Sequence, residues 1–400
     1  MDPLTGGPCQ GIRNSNLALS DLGVKREVVS LDSPLASFLG DDAFPIHAMG
    51  PGERIWGYSP KLIPWLIENL GRFDVVIVNG LWQYHSYAVR KALILYKKQI
   101  MNNVNKPIPK LFIMPHGMLD PYFQRAPERK LKALRNWIYW KLIEHKVINE
   151  AQGLLFTCEE ELLLAREPFK PYRPKAELNV GYGIVEPPVH TFEMAQAFFA
   201  ACPEVGKRPF FLFLSRVHQK KGVDLLIKAY KKVYDKRLNH NDLEFPALVI
   251  AGPGLETPYG QQMLDLALEG TQINAPIYFP GMLKGDAKWG AFYMCEAFIL
   301  PSHQENFGIA VAEALACSKS VLISNQVNIW REIIAAKGGI AADDTLDGTQ
   351  ELLEVWNNLS SDKKIETGKQ ARYCYEKHFK TRPAAKKLFD AISIIDKITI

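Results

Sequence analysis

The sequence predicts an α/β fold with two doubly wound parallel-sheet domains. Short apolar runs that end in Gly, Pro or Asn recur along the 400 residues, and stretches of helical length separate them. Continuous apolar runs are typical of buried parallel strands, and their alternation with helices is typical of a parallel sheet. A chain of this length with 47% hydrophobic residues can bury the cores of two such domains.

Composition and charge exclude several classes of function. The net charge of +5 is too mild to predict nucleic-acid binding. The six cysteines are scattered without a CxxC pair, which is typical of buried thiols in a reducing cytoplasm. No run of eighteen apolar residues occurs, and the first ten residues contain no apolar core, so neither a membrane span nor a secretory leader is expected.

The first domain is predicted over residues 1–190, and it ends in a Pro-rich link. Its strands are expected at 27–31, 74–78, 110–114 and 154–157, and its helices at 12–22, 59–70, 125–150 and 159–166. Gly6 and Gly7 stand where a glycine turn follows the first strand of a nucleotide-binding sheet, although only a few residues precede them. A flexible terminus is the alternative interpretation.

Two strand-to-helix loops of this domain carry polar and aromatic side chains. Asn79, Trp82 and His85 follow one predicted strand, and His116 follows the next. Because ligands of open α/β sheets bind at the carboxyl ends of the strands, His116 is expected to reach a substrate hydroxyl. A capped turn is the alternative for His116, and the other three residues are assigned to acceptor binding.

A basic and aromatic segment over residues 125–146 follows these loops. It contains seven Lys or Arg, with aromatic and aliphatic residues interleaved at 137–140. This pattern predicts a surface helix that contacts anionic lipid head groups. An amphipathic helix with its aromatic side chains in the core is the alternative, and both interpretations can hold together.

The second domain is predicted over residues 191–375. Its strands are expected at 210–214, 247–251, 277–283, 298–300 and 320–323, and its helices at 225–234, 288–295, 309–316, 346–359 and 362–379. Residues 376–400 are expected to form a C-terminal helix that packs back onto the first domain.

Basic residues and carboxylates cluster in two loops of the second domain. Arg216 and Lys221 lie five residues apart between a strand and a helix, where they can converge on one anion. Glu305 and Gly308 precede another helix start, whose unpaired amides favour an anion, and Glu313 lies just over one turn inside that helix. Two carboxylates at this spacing can flank a diphosphate, whereas a solvated surface helix is the alternative.

These motifs together resemble the family 4 glycosyltransferases of the GT-B fold, in which two Rossmann-like domains face each other across a cleft. The resemblance extends over nearly the whole chain and is carried by Gly6-Gly7, His116-Gly117, Arg216 with Lys221-Gly222, Gly252-Pro253-Gly254, Phe279-Pro280-Gly281, and Glu305-Asn306-Phe307-Gly308 with Glu313. The first-domain motifs resemble the branch that assembles polysaccharides, and within it the heterocyst envelope polysaccharide glycosyltransferases.

The resemblance implies a nucleotide sugar as co-substrate, with UDP-glucose as the first candidate. Arg216 and Lys221 would bind the diphosphate, Glu305 the sugar hydroxyls and Glu313 the ribose hydroxyls. The other implied donor contacts are Gly254, Met282 and Leu283 at the base, Asn306, Phe307 and Gly308 at the sugar, the Ile309 and Ala310 amides at the diphosphate, and Gly6, Gly7 and His116 from the first domain.

The resemblance also implies retaining hexosyl transfer to a glycan or lipid-linked glycan acceptor, in the cytoplasm or at the inner face of the cell membrane. No metal is expected, and no Asp-x-Asp motif occurs in the sequence. One departure is Tyr182, which stands where the family has an Asn. The alternatives are another GT-B catalyst, such as a nucleotide-sugar epimerase, and a nucleotide-sugar-binding module without activity.

Overall fold

Two groups of parallel strands form the framework of the chain, which is described here from a computed structural model. The structure describes residues 1–3, 7–53, 56–100, 107–238, 245–269 and 275–398. The chain divides into two compact units, one of residues 1–183 with 381–400 and one of residues 184–380. The sequence placed these boundaries after residues 190 and 375.

The first unit contains a two-stranded and a four-stranded sheet, both parallel. The small sheet pairs β1 (Val28–Ser30) with β2 (Ile46–Ala48), and the larger sheet has the order β3 (Val75–Asn79), β4 (Lys110–Met114), β5 (Gly153–Phe156) and β6 (Glu177–Asn179). Neither β2 nor β6 was predicted, because each has three half-buried residues and lacks the adjacent β-branched residues, Val28 and Val29, that indicated β1.

Helices connect these strands. They are α1 (Gly7–Asp21), α2 (Leu62–Asn69), α3 (Tyr84–Ile100), α4 (Tyr122–Arg125), α5 (Lys130–Tyr139), α6 (His145–Glu150) and α7 (Glu159–Leu164). The predicted helix over residues 125–150 is confirmed from Lys130 to Glu150, where α5, a π-helical turn at Trp140–Glu144 and α6 follow one another without a break. Its predicted start is wrong, because Ala126 is extended before Pro127, and the residue before a proline disfavours the helical conformation.

The second unit contains a six-stranded parallel sheet in the order β12-β11-β10-β7-β8-β9. Its strands are β7 (Phe210–Leu214), β8 (Ala247–Ala251), β9 (Ile277–Gly281), β10 (Ala297–Leu300), β11 (Val321–Ser324) and β12 (Gly339–Ala342). Every residue of β8, β10 and β11 is buried, because helices cover both faces of a parallel sheet.

The helices of the second unit are α8 (Phe192–Ala201), α9 (Val223–Leu238), α10 (Pro258–Leu268), α11 (Gly285–Met294), α12 (Ile309–Ala316), α13 (Trp330–Ala335), α14 (Leu346–Asn357) and α15 (Ser361–Cys374). The last helix, α16 (Thr381–Ile398), belongs to the first unit. There Ala385 packs with Ala18 and Leu19 of α1, and Leu388 also contacts the apolar cluster under β4 and β5.

None of the helices within the described ranges is both long enough and apolar enough to cross a bilayer.

Candidate functional site

The candidate site of the second unit lies where the order of its parallel strands reverses. The chain runs outward from β7 to β8 and β9 on one side, and from β10 to β11 and β12 on the other. Neighbouring loops after β7 and β10 therefore turn away from each other and leave a crevice, which is the usual ligand site of an open α/β sheet. The sequence placed its two charged loops after these same two strands.

Close backbone contacts hold the loop after β7 against its neighbours. Gly222 has a left-handed backbone (φ +66°), and a Cβ there would lie 2.1 Å from the carbonyl oxygen of Pro301. Only glycine fits this approach without displacing the backbone. The N–H of His303 donates to the Lys220 carbonyl at 2.9 Å, so backbone contacts join the loops after β7 and β10.

Lys221 and Glu305 form an ion pair across this crevice. Lys221 is buried, whereas the Glu305 side chain is about one-quarter exposed. Backbone hydrogen bonds hold Glu305 on both sides, since its N–H donates to Gln326 O and its carbonyl accepts from Asn328 N–H, each at 2.9 Å. The structure thus brings together two residues that are 84 positions apart in the chain.

The ion pair keeps the Glu305 carboxyl ionised. Burial raises the pKa of Glu305. The charge and hydrogen bond of Lys221 lower it by more, with smaller effects of Lys220 and Arg216, so the pKa lies below its ordinary value. Arg216 is exposed beside this pair, and within the described part of the chain its guanidinium has no hydrogen-bond or ion-pair partner. It is therefore available to an anionic ligand.

Helix α12 begins at the same edge of the sheet. Its predicted and observed bounds are identical, Ile309–Ala316. Gly308, the residue before it, has φ +77°, and a Cβ there would lie 3.3 Å from Glu305 Cγ, so a larger residue would press on the carboxylate arm. Ile309 and Ala310 are half-buried at the start of this helix, where amides lack carbonyl partners.

Glu313 lies one turn inside α12 and pairs with Lys288 of α11 at 2.6 Å. Burial raises the pKa of Glu313, and Lys288 offsets only part of this effect. The sequence did not indicate a role for Lys288, since nothing in the spacing of two residues 25 apart shows that their side chains meet. Lys288 also lies 4.5 Å from the Trp289 ring centroid, which fixes the position of its ammonium group.

The remaining predicted donor residues of this unit lie in the same group of loops or beside them. Gly254 follows β8, while Met282 and Leu283 follow β9, and the N–H of Gly252 donates to Gly281 O at 2.8 Å between these loops. Met282 is exposed and Leu283 is buried. Asn306 is half-buried, and Phe307 packs edge-on against Phe379, so its side chain faces the core rather than the crevice.

In the first unit, His116 lies after β4 beside the end of β3. Its Nε2 lies 2.9 Å from Asn79 Oδ1, and its backbone has φ +53°. Burial lowers the pKa of His116 to about 4, so the imidazole is neutral at physiological pH. A neutral imidazole can donate or accept a hydrogen bond, which is what binding a sugar hydroxyl requires.

A buried carboxylate that the sequence analysis missed supports the His116 loop. Glu161 of α7 accepts the Gly117 N–H at 2.5 Å with one oxygen, and the N–H and hydroxyl of Thr157 with the other at 2.7 and 2.6 Å. It joins the loops after β4 and β5. An acidic residue early in a helix is too common a feature to have indicated this role.

Within the described residues, α1 begins at Gly7. Gly6 and the rest of the predicted turn lie outside the described residues. The Tyr182 hydroxyl donates a hydrogen bond to the Gly7 carbonyl at 2.6 Å. A Cβ on Gly11 would lie 2.2 Å from the Tyr182 hydroxyl oxygen. Tyr182, the departure noted in the sequence, thus packs directly on the first turns of α1, and nucleotide binding by Gly7 stays a prediction.

The loop after β3 is held by Glu144 of the π-helical turn. The carboxylate oxygen Oε1 accepts the Trp82 N–H at 2.8 Å and the Ser86 hydroxyl at 2.6 Å, while His85 Nε2 lies 3.2 Å from the Gly80 carbonyl oxygen. Glu144 is fully buried. Burial raises its pKa to about 7, although the two hydrogen bonds favour the ionised form and lower the pKa in part. These contacts hold the Trp82 backbone and the His85 imidazole in place, and acceptor binding by Asn79, Trp82 and His85 stays a prediction.

Glu144→Gln is expected to make the protein more stable than wild type at alkaline pH. Between the ordinary carboxyl pKa of 4.5 and about 7, the folded state binds a proton that the unfolded state has lost, so wild-type stability falls as pH rises through this window. The stability of the variant relative to wild type should rise by about 2 kcal/mol between about pH 5 and pH 8. Urea unfolding of both proteins at the two pH values measures this difference.

The exposed Glu68 of α2 provides the control for this measurement. Glu68→Gln should show the same difference in stability between the two pH values as wild type. A Glu144→Gln variant that loses the same stability at both pH values would contradict the assignment, because the carboxylate would then matter only as a hydrogen-bond acceptor.

Comparisons with known proteins agree with this arrangement. Residues 195–376 match the family described as "Glycosyl transferases group 1", so the second unit carries a domain of that group. Over 150 residues the chain is 31% identical to an uncharacterized glycosyltransferase, MJ1607, of Methanocaldococcus jannaschii. The match covers 36% of this chain and 36% of that protein, so the chain spans about a third of the relative's length.

Three solved structures share the fold over almost the full chain. A glycosyltransferase from Rickettsia africae has a TM-score of 0.71 at 16% identity, with 97% of this chain and 96% of that chain covered. HepE from Anabaena, solved with UDP and glucose, has a TM-score of 0.69 at 13% identity and 97% of each chain covered. Sucrose-phosphate synthase from Thermosynechococcus elongatus has a TM-score of 0.66 at 15% identity, with coverage of 98% and 94%. The GT-B fold predicted from the sequence is confirmed.

Proposed function

We propose that this chain is a retaining glycosyltransferase of family 4 that transfers a hexose from a nucleoside diphosphate sugar to a glycan or lipid-linked glycan acceptor in polysaccharide biosynthesis. The observation that carries the proposal is the crevice of the second unit. There Lys221 and Arg216 flank Glu305 at the start of α12, within a glycosyl transferases group 1 domain. UDP-glucose is the first candidate donor, and the UDP-glucose complex of HepE supports this choice.

The positive charges of the crevice suit the leaving group. As the bond between the anomeric carbon and the phosphate oxygen breaks, negative charge develops on the diphosphate, and fixed cations and amides stabilise it most effectively in a partly buried site. We assign this role to Lys221, Arg216 and the amides of Ile309 and Ala310. The burial of Lys221 supports the assignment, because little water screens its charge.

The two carboxylates have separate roles in the proposal. Glu305, which is ionised, accepts hydrogen bonds from sugar hydroxyls, and Glu313 accepts them from the ribose. Gly254, Met282 and Leu283 would border the base, with Asn306 and Gly308 beside the sugar. The acceptor oxygen bonds to the anomeric carbon from the face that the diphosphate leaves, and a phosphate oxygen takes the acceptor proton.

For His116 we propose a hydrogen bond to a sugar hydroxyl, which its neutral imidazole supports. We also propose a cytoplasmic location. None of the six cysteines, all of which lie within the described residues, forms a disulfide, and this fits a reducing compartment. An acceptor related to heterocyst envelope polysaccharide is a narrower form of the proposal, and it would need a direct acceptor assay.

Slow donor hydrolysis tests the proposal, because it needs no acceptor. The whole chain should release UDP from UDP-glucose faster than it releases nucleotide from GDP- or ADP-sugars, and NMR should show the α-anomer of glucose first. The rate should be the same with EDTA, since the proposed charge stabilisation comes from side chains and amides.

Three results would contradict parts of this proposal. Release of nucleotide from no donor, together with tight UDP binding, would favour a non-catalytic binding module. The β-anomer as first product would exclude retention. Activity that disappears with EDTA and returns with Mn²⁺ would exclude the metal-free mechanism.

A further inference from the structure

Helix α5 and the π-helical turn after it present large apolar side chains to solvent. We call these side chains the α5 face: Leu131, Leu134, Trp137, Ile138 and Leu142. Leu131 is 85% exposed and Leu142 is 64% exposed, and the other three are each 45–56% exposed. Single exposed apolar residues are normal on a protein surface, but Leu131, Leu134, Ile138 and Leu142 line one surface depression, and an apolar patch of this kind marks an interaction site.

The α5 face is accompanied by charges of one sign only. Residues 130–143 contain four basic residues and no acidic residue. Lys130, Lys132, Arg135 and Lys141 are all exposed. The Lys141 ammonium lies 5.7 Å from the Trp137 ring centroid, so cation and aromatic ring are presented together.

The exposure of the α5 face is not the result of a loosely held helix. On the inner side Trp140 is fully buried, and its ring stacks on Phe169 with centroids 4.8 Å apart. The only fully buried residue within α5 itself is the polar Asn136. Over α5, therefore, the large apolar side chains face solvent and not the core. Trp140, in the π-helical turn, lies in the core, as expected for an amphipathic helix with its aromatic side chains inside.

We propose that the α5 face binds the surface of an anionic lipid bilayer, with its apolar side chains in the acyl boundary and its lysines at the head groups. Residues 130–143 at helical rise extend about 20 Å, which is too short to span a bilayer and suits a helix that lies in the interface. This inference does not depend on the transferase proposal, because binding to vesicles requires no donor or acceptor.

Charge argues against a second copy of the chain as the occupant. A symmetric dimer through the α5 face would bring four cations of one copy against the same four of the other, with no acidic residue of this segment to pair them. An anionic membrane surface supplies the opposite charge and an apolar layer beneath it, and both features of the face are then satisfied.

Co-sedimentation of the whole chain with vesicles tests the proposal. The protein should pellet with vesicles of phosphatidylcholine containing about 30% phosphatidylglycerol and remain in solution with pure phosphatidylcholine, and the binding should weaken with added salt. Lys130→Glu with Lys132→Glu should lower the partition coefficient by at least about tenfold. Leu131→Ser with Leu142→Ser should lower it by a similar factor at unchanged charge.

Matched changes on α15 provide the controls. Lys363→Glu with Lys369→Glu reverses the same number of exposed lysines, and Ile365→Ser removes an exposed apolar side chain. Both control variants should sediment as wild type. Equal sedimentation of the α5 variants and wild type would overturn the proposal, as would the absence of wild-type binding to anionic vesicles. A shift from dimer to monomer in the leucine variant, without vesicle binding, would assign the face to self-association instead.

Discussion

Replacing Glu305 with glutamine is expected to lower kcat for hexose transfer by about 100-fold or more while the Kd for UDP stays within about threefold of wild type. In the proposed reaction Glu305 contacts the transferred sugar, which UDP lacks. The substitution keeps the shape of the side chain and removes the charge that Lys221 now neutralises. Within that limit UDP binding should tighten, since the diphosphate would no longer share Lys221 with a carboxylate.

Steady-state kinetics with UDP-glucose and calorimetry with UDP measure the two quantities separately. Glu351→Gln is the matched control, because Glu351 is an exposed glutamate of the same unit, on α14, and has no role in the proposed site. That variant should keep kcat near the wild-type value. If Glu305→Gln weakens UDP binding and leaves kcat unchanged, Glu305 acts on the nucleotide rather than on the sugar.

Several strands of both units, and the helix that follows Glu305, were predictable from local sequence. β4, β7 and β8 have the same bounds in the prediction and in the structure, because a continuous run such as residues 210–214 has no competing periodicity. The bounds of α12 were equally clear, since Gly308 cannot readily continue into the helix from its left-handed conformation. β12 was not predicted, because its four residues are mostly small and give no clear strand pattern.

The partners of the charged residues were not predictable in the same way. The pairs Lys221–Glu305 and Lys288–Glu313, and the contact of Glu161 with the His116 loop, join residues that only the strand order brings together. The sequence shows which residue is charged and which predicted strand or helix it lies next to, but not which side chain it meets. The depth of burial, which decides whether a carboxylate pKa rises or falls, depends on the folded neighbours.

Lys221→Met and Arg216→Met should each raise the Kd for UDP by about 10- to 100-fold, because each removes one charge from the proposed diphosphate site. Their effects on stability should differ. Lys221 is buried and paired, so its loss leaves Glu305 without the charge that lowers its pKa, at a cost of about 1–3 kcal/mol after allowance for the partial exposure of Glu305. Arg216 is exposed, and its loss should leave the stability within about 0.5 kcal/mol of wild type.

A double variant separates the two roles of Lys221. Lys221→Met with Glu305→Gln removes both charges of the pair, so thermal unfolding should return towards wild type while UDP binding stays weak. Uridine, which has no phosphates, should bind all these variants as it binds wild type, because neither cation would contact the nucleoside. Unchanged UDP binding in both single variants would contradict the diphosphate assignment, and equal loss of uridine binding would show that the variants disturb the fold of the crevice instead.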